Sequence, residues 1–309
     1  MIALEDHEGV TTGRSARYRV LRALENPGPG VLAVAHDLLR GSEVVVRIVS
    51  QTTEATAARA VSEFHKLIRV EHPSLAQTFD YGRTADGVFY TRELAEHPSL
   101  DDTAGRDSRE SVVFKCLSGV AAALSELHDA GCVHGLVVPS CIRIEVGKSD
   151  RLGGVRLIDA GLRSLLSDAH LEDVRKYDAP EVRAGALPSP AGDAYQLGAS
   201  LVEAVGGAAA LARLRDGKSK PFRSQIRGVD RRLLDLLDDL VAPDPRERPT
   251  SREIVEALRS RDWVLPESSR SVASLTSPAL IGRDRELAQC DDILERAAKG
   301  SAHAVTRRS

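Results

Sequence analysis

Asp159, Arg47 and His134 are the side chains whose settings first suggest chemistry. Asp159 stands ahead of Ala160-Gly161, where a carboxylate can hold a cation or close a turn on its own backbone. Arg47 lies within Glu43-Val44-Val45-Val46-Arg47-Ile48-Val49, so a charge sits in an otherwise apolar strand-like run. His134 ends Leu127-His128-Asp129-Ala130-Gly131-Cys132-Val133-His134, where a histidine is read as a core group bonded to backbone. Cys116, Cys132, Cys141 and Cys290 have no C-x-x-C spacing, which suggests neither a zinc site nor a disulfide framework.

The elements that would position these residues fall into two kinds. Tyr18-Arg19-Val20-Leu21, Val31-Leu32-Ala33-Val34 and the run 43–49 read as strands of an antiparallel meander, with turns at Asn26-Pro27-Gly28-Pro29-Gly30 and Arg40-Gly41-Ser42. A helix follows over 53–70, with Ala57, Val61, Phe64, Leu67 and Ile68 at helical spacing, and two further strand-like runs cover 75–79 and 87–91. Beyond Glu96 the pattern turns helical. Residues 111–130 carry Val113, Leu117, Val120, Leu124 and Leu127 as one stripe, stopped by Gly131. Short strands at 141–144 and 155–158 interrupt the helices, which resume at 193–205, 231–240 and 250–259, the last opened by the capping box Thr250-Ser251-Arg252-Glu253. The expected fold class is α+β, with a tail over 1–17, a β-rich lobe holding one helix over 18–94 and a mainly α-helical lobe over 95–264.

Composition narrows the function classes. The chain has 309 residues, 42% apolar and 28% charged, and its net charge of −3 comes from interleaved signs that leave no footprint for nucleic acid or anionic lipid. Glu5, Asp6 and Glu8 stand where a secretory signal needs positive charge, and the apolar stretch 195–214 is broken by Gln196, Glu203, Gly206-Gly207 and Arg213. A cytoplasmic protein that neither crosses a membrane nor binds nucleic acid is expected.

Ordered motifs add a family resemblance. Leu127-His128 followed by His134-Gly135-Leu136-Val137-Val138-Pro139-Ser140-Cys141 resembles the kinase catalytic-loop region, in which Leu-His precedes His-Arg-Asp-Leu-Lys-Pro-x-Asn. Leu157-Ile158-Asp159-Ala160-Gly161 resembles the Asp-Phe-Gly motif, and Tyr177-Asp178-Ala179-Pro180-Glu181 the Ala-Pro-Glu motif. Gly192-Asp193-Ala194-Tyr195-Gln196-Leu197-Gly198 and Pro243-Asp244-Pro245-Arg246-Glu247-Arg248-Pro249-Thr250 match two more kinase segments. Each alone is weak, but together and in order over 18–263 they resemble a bacterial eukaryotic-like (Hanks-type) Ser/Thr protein kinase domain. The resemblance implies a bilobal protein-kinase-like fold with a nucleotide cleft between the lobes.

Phosphoryl transfer needs phosphate neutralisation, metal ligands and a carboxylate to orient the hydroxyl. The aligned positions depart from that set. The Gly-rich loop holds Glu25, Pro27, Gly30 and Leu32, so one glycine survives, and proline removes a backbone N–H. Arg47 replaces the phosphate-binding lysine, and Glu63 matches its glutamate partner, so an Arg47–Glu63 pair is an expectation of the resemblance. Leu136 stands at the catalytic aspartate, Val138 at the lysine, Gly135 at the arginine and Cys141 at the metal-binding asparagine, so no catalytic residue is assigned. Loss of a general base alone costs about 10²–10⁴ in rate. Asp159 is the one retained metal-binding position, with Ala160 beside it. Gly30, Arg47, Glu63, Glu93 and Asp159 are the candidate nucleotide-binding positions, which leaves ATP and Mg²⁺ as doubtful cofactors.

Residues 162–178 hold Ser164 and Ser167 but no threonine, and no catalytic-loop arginine remains to receive a phosphate, so switching by phosphorylation of this segment is not expected. The positions that support the large lobe are retained: His134, Gly161, a Glu181–Arg248 pair and Asp193 bonded to the catalytic-loop backbone. Retained scaffold beside erased chemistry is the pattern of a pseudokinase, a regulatory or scaffold module of a bacterial signalling protein. A weakly active Ser/Thr kinase and a non-hydrolysing ATP sensor are the alternatives.

After a Ser- and Pro-rich linker over 265–280, Leu280-Ile281-Gly282-Arg283-Asp284-Arg285-Glu286-Leu287 resembles the opening of AAA-type bacterial ATPase domains. No G-x-x-x-x-G-K-[ST] follows within 281–309, so an incomplete start of such a domain is expected, and a plain amphipathic helix over 284–299 stands beside it. The expected partner is a protein or a fused ATPase or signalling domain.

Overall fold

The computed structural model describes residues 10–11, 16–24, 30–50, 52–84, 87–103, 107–146, 152–217 and 221–260. All of them belong to one compact unit, Met1–Val264. The linker and ATPase-like segment read from the sequence, and most of the N-terminal tail, lie outside the described residues.

Six strands form an antiparallel sheet: β1 (Val10–Thr11), β2 (Ala16–Ala23), β3 (Val31–Asp37), β4 (Ser42–Ser50), β5 (Thr78–Arg83) and β6 (Gly87–Glu93), in the order β1-β2-β3-β4-β6-β5. Alternation along β4 explains where its charge goes. Val44 and Val46 pack with Tyr18, Ala35 and Phe89 on one face. Arg47 and Val49 therefore take the opposite face, toward the rest of the molecule. On β6 the residue opposite Arg47 is Tyr90, and Arg92, two positions on, points the same way. Helix α1 (Glu54–Leu67) covers this face, with Thr53 as its N-cap, and stacks Phe64 on Tyr90 at 4.6 Å between ring centroids.

The second lobe is built on α2 (Arg109–Asp129), capped by Ser108, whose Val113, Leu117, Val120, Leu124 and Leu127 are fully buried. A hairpin of β7 (Ile142–Val146) and β8 (Leu152–Leu157) packs on it, followed by α3 (Asp168–Val174), α4 (Pro180–Arg183), α5 (Pro190–Gly206), α6 (Ala208–Arg215), α7 (Arg231–Leu240) and α8 (Ser251–Ser260). The capping box closes as its sequence demands: Thr250 N–H donates to Glu253 at 2.8 Å, and Glu253 N–H donates to the Thr250 hydroxyl at 3.2 Å. One apolar core runs from Phe64 and Tyr90 through Leu117 and Leu157 to Leu237 and Ile254, so the sheet and the helical lobe share an interior. The fold is that of a protein kinase, a sheet-rich lobe on a helical one.

The sequence places a strand at 75–79, whereas β5 begins at Thr78. Leu75 instead bridges to Leu157, and Ala76 N–H donates to Leu157 C=O at 2.8 Å, so this segment ties the lobes together. The apolar run 195–214 divides at Gly207 into α5 and α6. Helices α3 and α4 are too short to leave a period in the sequence. Among the described residues no helix is long and apolar enough to cross a membrane.

Candidate functional site

Asp159 follows β8 in a left-handed conformation, φ 64°, with Gly161 at φ 78° two residues later. Asp is among the few residues that take this region without heavy strain. The turn sends the carboxylate back across the cleft to the inward face of the sheet. There Arg92 Nε donates to Oδ1 at 2.6 Å, Tyr90 OH donates to Oδ1 at 3.1 Å, and an Arg47 guanidinium nitrogen lies 3.7 Å from Oδ2. All four residues are buried. Burial would raise the Asp159 pKa, but Arg92 and then Arg47 overcome it and hold the group at about 2. Burial first, and the neighbouring carboxylate second, push the Tyr90 phenol upward, so it stays a neutral donor.

The segment corresponding to the catalytic loop is sealed rather than poised. Leu136, Val138 and Cys141 are buried. Burial, reinforced by Asp159, pushes the Cys141 thiol up to about 12, so it is no thiolate ligand at neutral pH. His134 accepts from Leu136 N–H at Nδ1, 3.2 Å, and its Nε2 lies 3.1 Å from Ile158 C=O, which fixes the neutral Nε2–H tautomer. Burial lowers its pKa.

Supporting contacts around this loop are dense. Asp193 accepts from the N–H groups of His134 at 2.8 Å and Gly135 at 2.6 Å, and His128 Nε2 lies 2.9 Å from the same carboxylate. Arg248 makes a two-pronged pair with Glu181 at 2.6 and 2.8 Å. Arg163 reaches from beyond Gly161 to the place left by the missing arginine. It donates to Gly135 C=O at 3.1 Å and to both oxygens of Asp178 at 2.9 and 2.7 Å. Gly135 makes this approach possible: it has φ 72°, and a Cβ there would stand 3.1 Å from Arg163 Cδ. Gln196 Nε2 closes the group with a 2.9 Å bond to Asp178.

The Arg47–Glu63 pairing expected from the sequence is corrected, and Glu93 and Gly30 are found in structural settings of their own. Arg47 pairs with Asp159 and not with Glu63, because Glu63 on α1 faces a separate cavity with Arg59, Lys66 and Arg163. Glu93 is taken by Arg156 at 2.5 and 2.6 Å, an ion pair between β6 and β8. Gly30 is set by packing: a Cβ there would lie 1.8 Å from Ile48 C=O, so the missing side chain admits the β4 backbone.

The remaining cleft has a volume of about 290 Å³ and is lined by Leu32, Arg47, Arg92, Leu136, Cys141 and Asp159 among others. That is at the small end of the roughly 300–1,000 Å³ of ligand pockets. These residues do not fit a magnesium nucleotide. Of the carboxylates that line the cleft, Asp159 is already neutralised by two guanidinium groups, its neighbour Cys141 is a buried thiol, and no group of three or more His, Cys, Asp or Glu among the described residues, Asp101 and Asp173 included, could hold a metal.

Arg92 and Arg163 are the site residues that sequence reasoning missed. Ending the strand at Thr91 hid Arg92, although its alternation with Tyr90 carried the signal. Arg163 had only a weak signal, a cation near a motif that had lost one.

A family model described as protein kinase domain matches residues 28–259. The serine/threonine-protein kinase pkn2 of Myxococcus xanthus is 26% identical over 295 residues, which is 86% of this chain and 34% of pkn2. The serine/threonine-protein kinase PknA of Mycobacterium tuberculosis is 29% identical over 215 residues, 64% of this chain and 48% of PknA. The chain thus spans about a third to a half of the length of these relatives. A mutant of the Mycobacterium tuberculosis PknI kinase domain superposes with a TM-score of 0.63 at 22% identity, covering 82% of this chain and 98% of that domain, which is a likeness of fold.

Proposed function

This chain belongs to the protein kinase domain family, and we propose that within it the chain is a pseudokinase, a regulatory or scaffold module of a bacterial signalling protein. The observation that carries this reading is the use of Asp159 as the centre of an internal ion cluster with Arg92, Arg47 and Tyr90. A carboxylate so engaged is not available to a metal, and no other acid stands at the positions where the family orients its hydroxyl, since these hold Leu136 and Cys141. The dense contacts of Asp193, Glu181 and Arg248 support a rigid platform in the helical lobe. Its partner is a protein, or a fused ATPase or signalling domain, met in the cytoplasm.

Its relatives are named serine/threonine-protein kinases, which favours a second reading, a weakly active ATP-dependent kinase. Two assays separate the readings. Labelled-ATP autophosphorylation is expected to give no signal, and a signal abolished by Asp159→Ala would establish the kinase reading instead. Thermal-shift titration with millimolar ATP, with and without Mg²⁺, is expected to leave Tm unchanged. A Mg²⁺-independent rise would point to a nucleotide sensor.

A further inference from the structure

The cleft holds more positive charge than its internal ion cluster uses. The guanidinium groups of Arg143, Arg92 and Arg47 and the carboxylate of Asp159 all act on the Cys141 thiol, so an excess of two positive charges converges on that point of the wall. The wall as a whole has the same sign, with four Lys and Arg side chains against three Asp. Its other two acids, Asp101 and Asp173, are exposed, whereas Arg47 and Arg92 are buried.

Hydrogen-bond donors are left over as well as charge. On β7 the neighbours Ile142 and Ile144 point into the core, so Arg143 between them takes the other face and lines the cleft, half-buried. Its one hydrogen bond to a described residue is long, 3.4 Å to His97 C=O, and it stands in no ion pair among them. Its Nε is buried without an acceptor. The acid that could serve it is taken, because Arg156, opposite Arg143 on β8, holds Glu93 at 2.6 Å. Arg92 is 5% exposed and gives Nε to Asp159 and Nη1 to Glu93 C=O at 3.0 Å. Its Nη2 has no acceptor among the described residues. Guanidinium groups offer five donors in a fixed fork, and buried ones normally find acceptors, so two such groups underused on one cleft mark a place for an acceptor-rich ligand.

We propose that the cleft binds a small oxyanion, phosphate or a short dicarboxylate, without a metal. Arg143 and Arg92 take its oxygens beside Cys141, in charge-assisted hydrogen bonds. The Cys141 thiol and the Tyr90 phenol stay neutral, and Arg47 offsets Asp159, so the seat stays positive when these groups are counted. The volume of about 290 Å³ suits a molecule of this size. The inference rests on the pseudokinase reading, since it gives the cleft an occupant other than magnesium nucleotide.

Isothermal titration of the whole chain with phosphate, malonate and neutral malonamide, in a buffer free of other oxyanions, tests this. Saturable one-to-one binding of phosphate or malonate is expected, with malonamide at least about tenfold weaker. Preference for one anion assigns the site to phosphates or to carboxylates, and equal affinity assigns it to both. Arg143→Met removes a guanidinium that makes one long hydrogen bond, so it should keep its Tm and lose at least about tenfold in affinity. Arg59→Ala/Lys66→Ala, at two exposed cations of the cavity beside α1, should leave affinity unchanged. No saturable binding up to about 10 mM, as water alone on these donors would give, or equal binding of malonamide would overturn the proposal. So would unchanged affinity in Arg143→Met, or a loss in the Arg59/Lys66 variant, which would place the anion beside α1. Displacement of the anion by millimolar magnesium ATP would overturn it as well, by making the seat a nucleotide position, whereas the pseudokinase reading itself falls only on autophosphorylation.

Discussion

Arg92 Nε and Asp159 Oδ1 stand 2.6 Å apart across 67 residues of sequence, joining the end of β6 to the turn that follows β8. The pair is buried on both sides, 6% and 8% exposed, so it behaves as a structural ion pair rather than a surface one.

Arg92→Met should therefore be costly. Removing one partner of a buried pair leaves a charge behind, typically at about 3–5 kcal/mol, and Arg47 at 3.7 Å keeps this case toward the lower end. Urea unfolding should show a lower midpoint at unchanged slope. A loss under about 0.5 kcal/mol would mean that the pair is not formed in solution.

Acid should weaken the fold in two stages. His134 has its pKa lowered in the folded state, so the unfolded chain binds its proton first and stability declines as pH drops below about 6.5. Asp159 is held down at about 2, so its contribution is complete above about 4 and disappears as pH falls toward 2, on the order of 2 kcal/mol in all. Urea midpoints measured from pH 8 to pH 2 should decline in both windows. Asp159→Asn should make the decline in the lower window shallower, the remainder coming from other carboxylates held down by their partners, such as Asp37 and Glu181, and leave the upper one.

The Arg163–Asp178 contact predicts an unusual sensitivity at a glycine. Gly135→Ala places a Cβ against Arg163 and forces a left-handed residue, at about 1–3 kcal/mol. Arg163→Ala leaves Asp178, 2% exposed, with Gln196 alone as side-chain partner and should cost about 3 kcal/mol. The double variant should cost less than the sum, because the alanine methyl then has room. Strict additivity in this cycle would mean that glycine is not there to admit the arginine.

Restoring the lost acid and amide should not restore chemistry. Leu136→Asp with Cys141→Asn returns the side chains for proton acceptance and metal binding, yet Arg92 and Arg47 still occupy Asp159. Labelled-ATP transfer should stay at background in that variant. Transfer in it without a change at Arg92 would refute the view that the ion cluster blocks the site.

Much of the scaffold was legible in the sequence. The valines of β4, the stripe of α2 and the Thr250 capping box each carry a local signal that tertiary packing does not override. Order of motifs located Asp159, Asp193 and Arg248 because those residues act through fixed neighbours in the chain. Partnerships were less legible. Arg47 was given Glu63 as its mate, whereas it pairs with Asp159, a partner that spacing along the chain does not reveal, and Glu63 lines a separate cavity. Arg92 was hidden by a strand boundary, and Gly30 had a backbone reason that no spacing rule contains.

The clamp of Arg163 on Asp178 also has a mechanical side. It joins residues 15 apart, so α3 sits in a chain loop whose two ends are pinned to Gly135 and Gln196. His170, Asp173 and Val174 of α3 line the cleft, so this pinned loop forms part of the cleft wall, and a partner that displaced α3 would reshape the cleft directly.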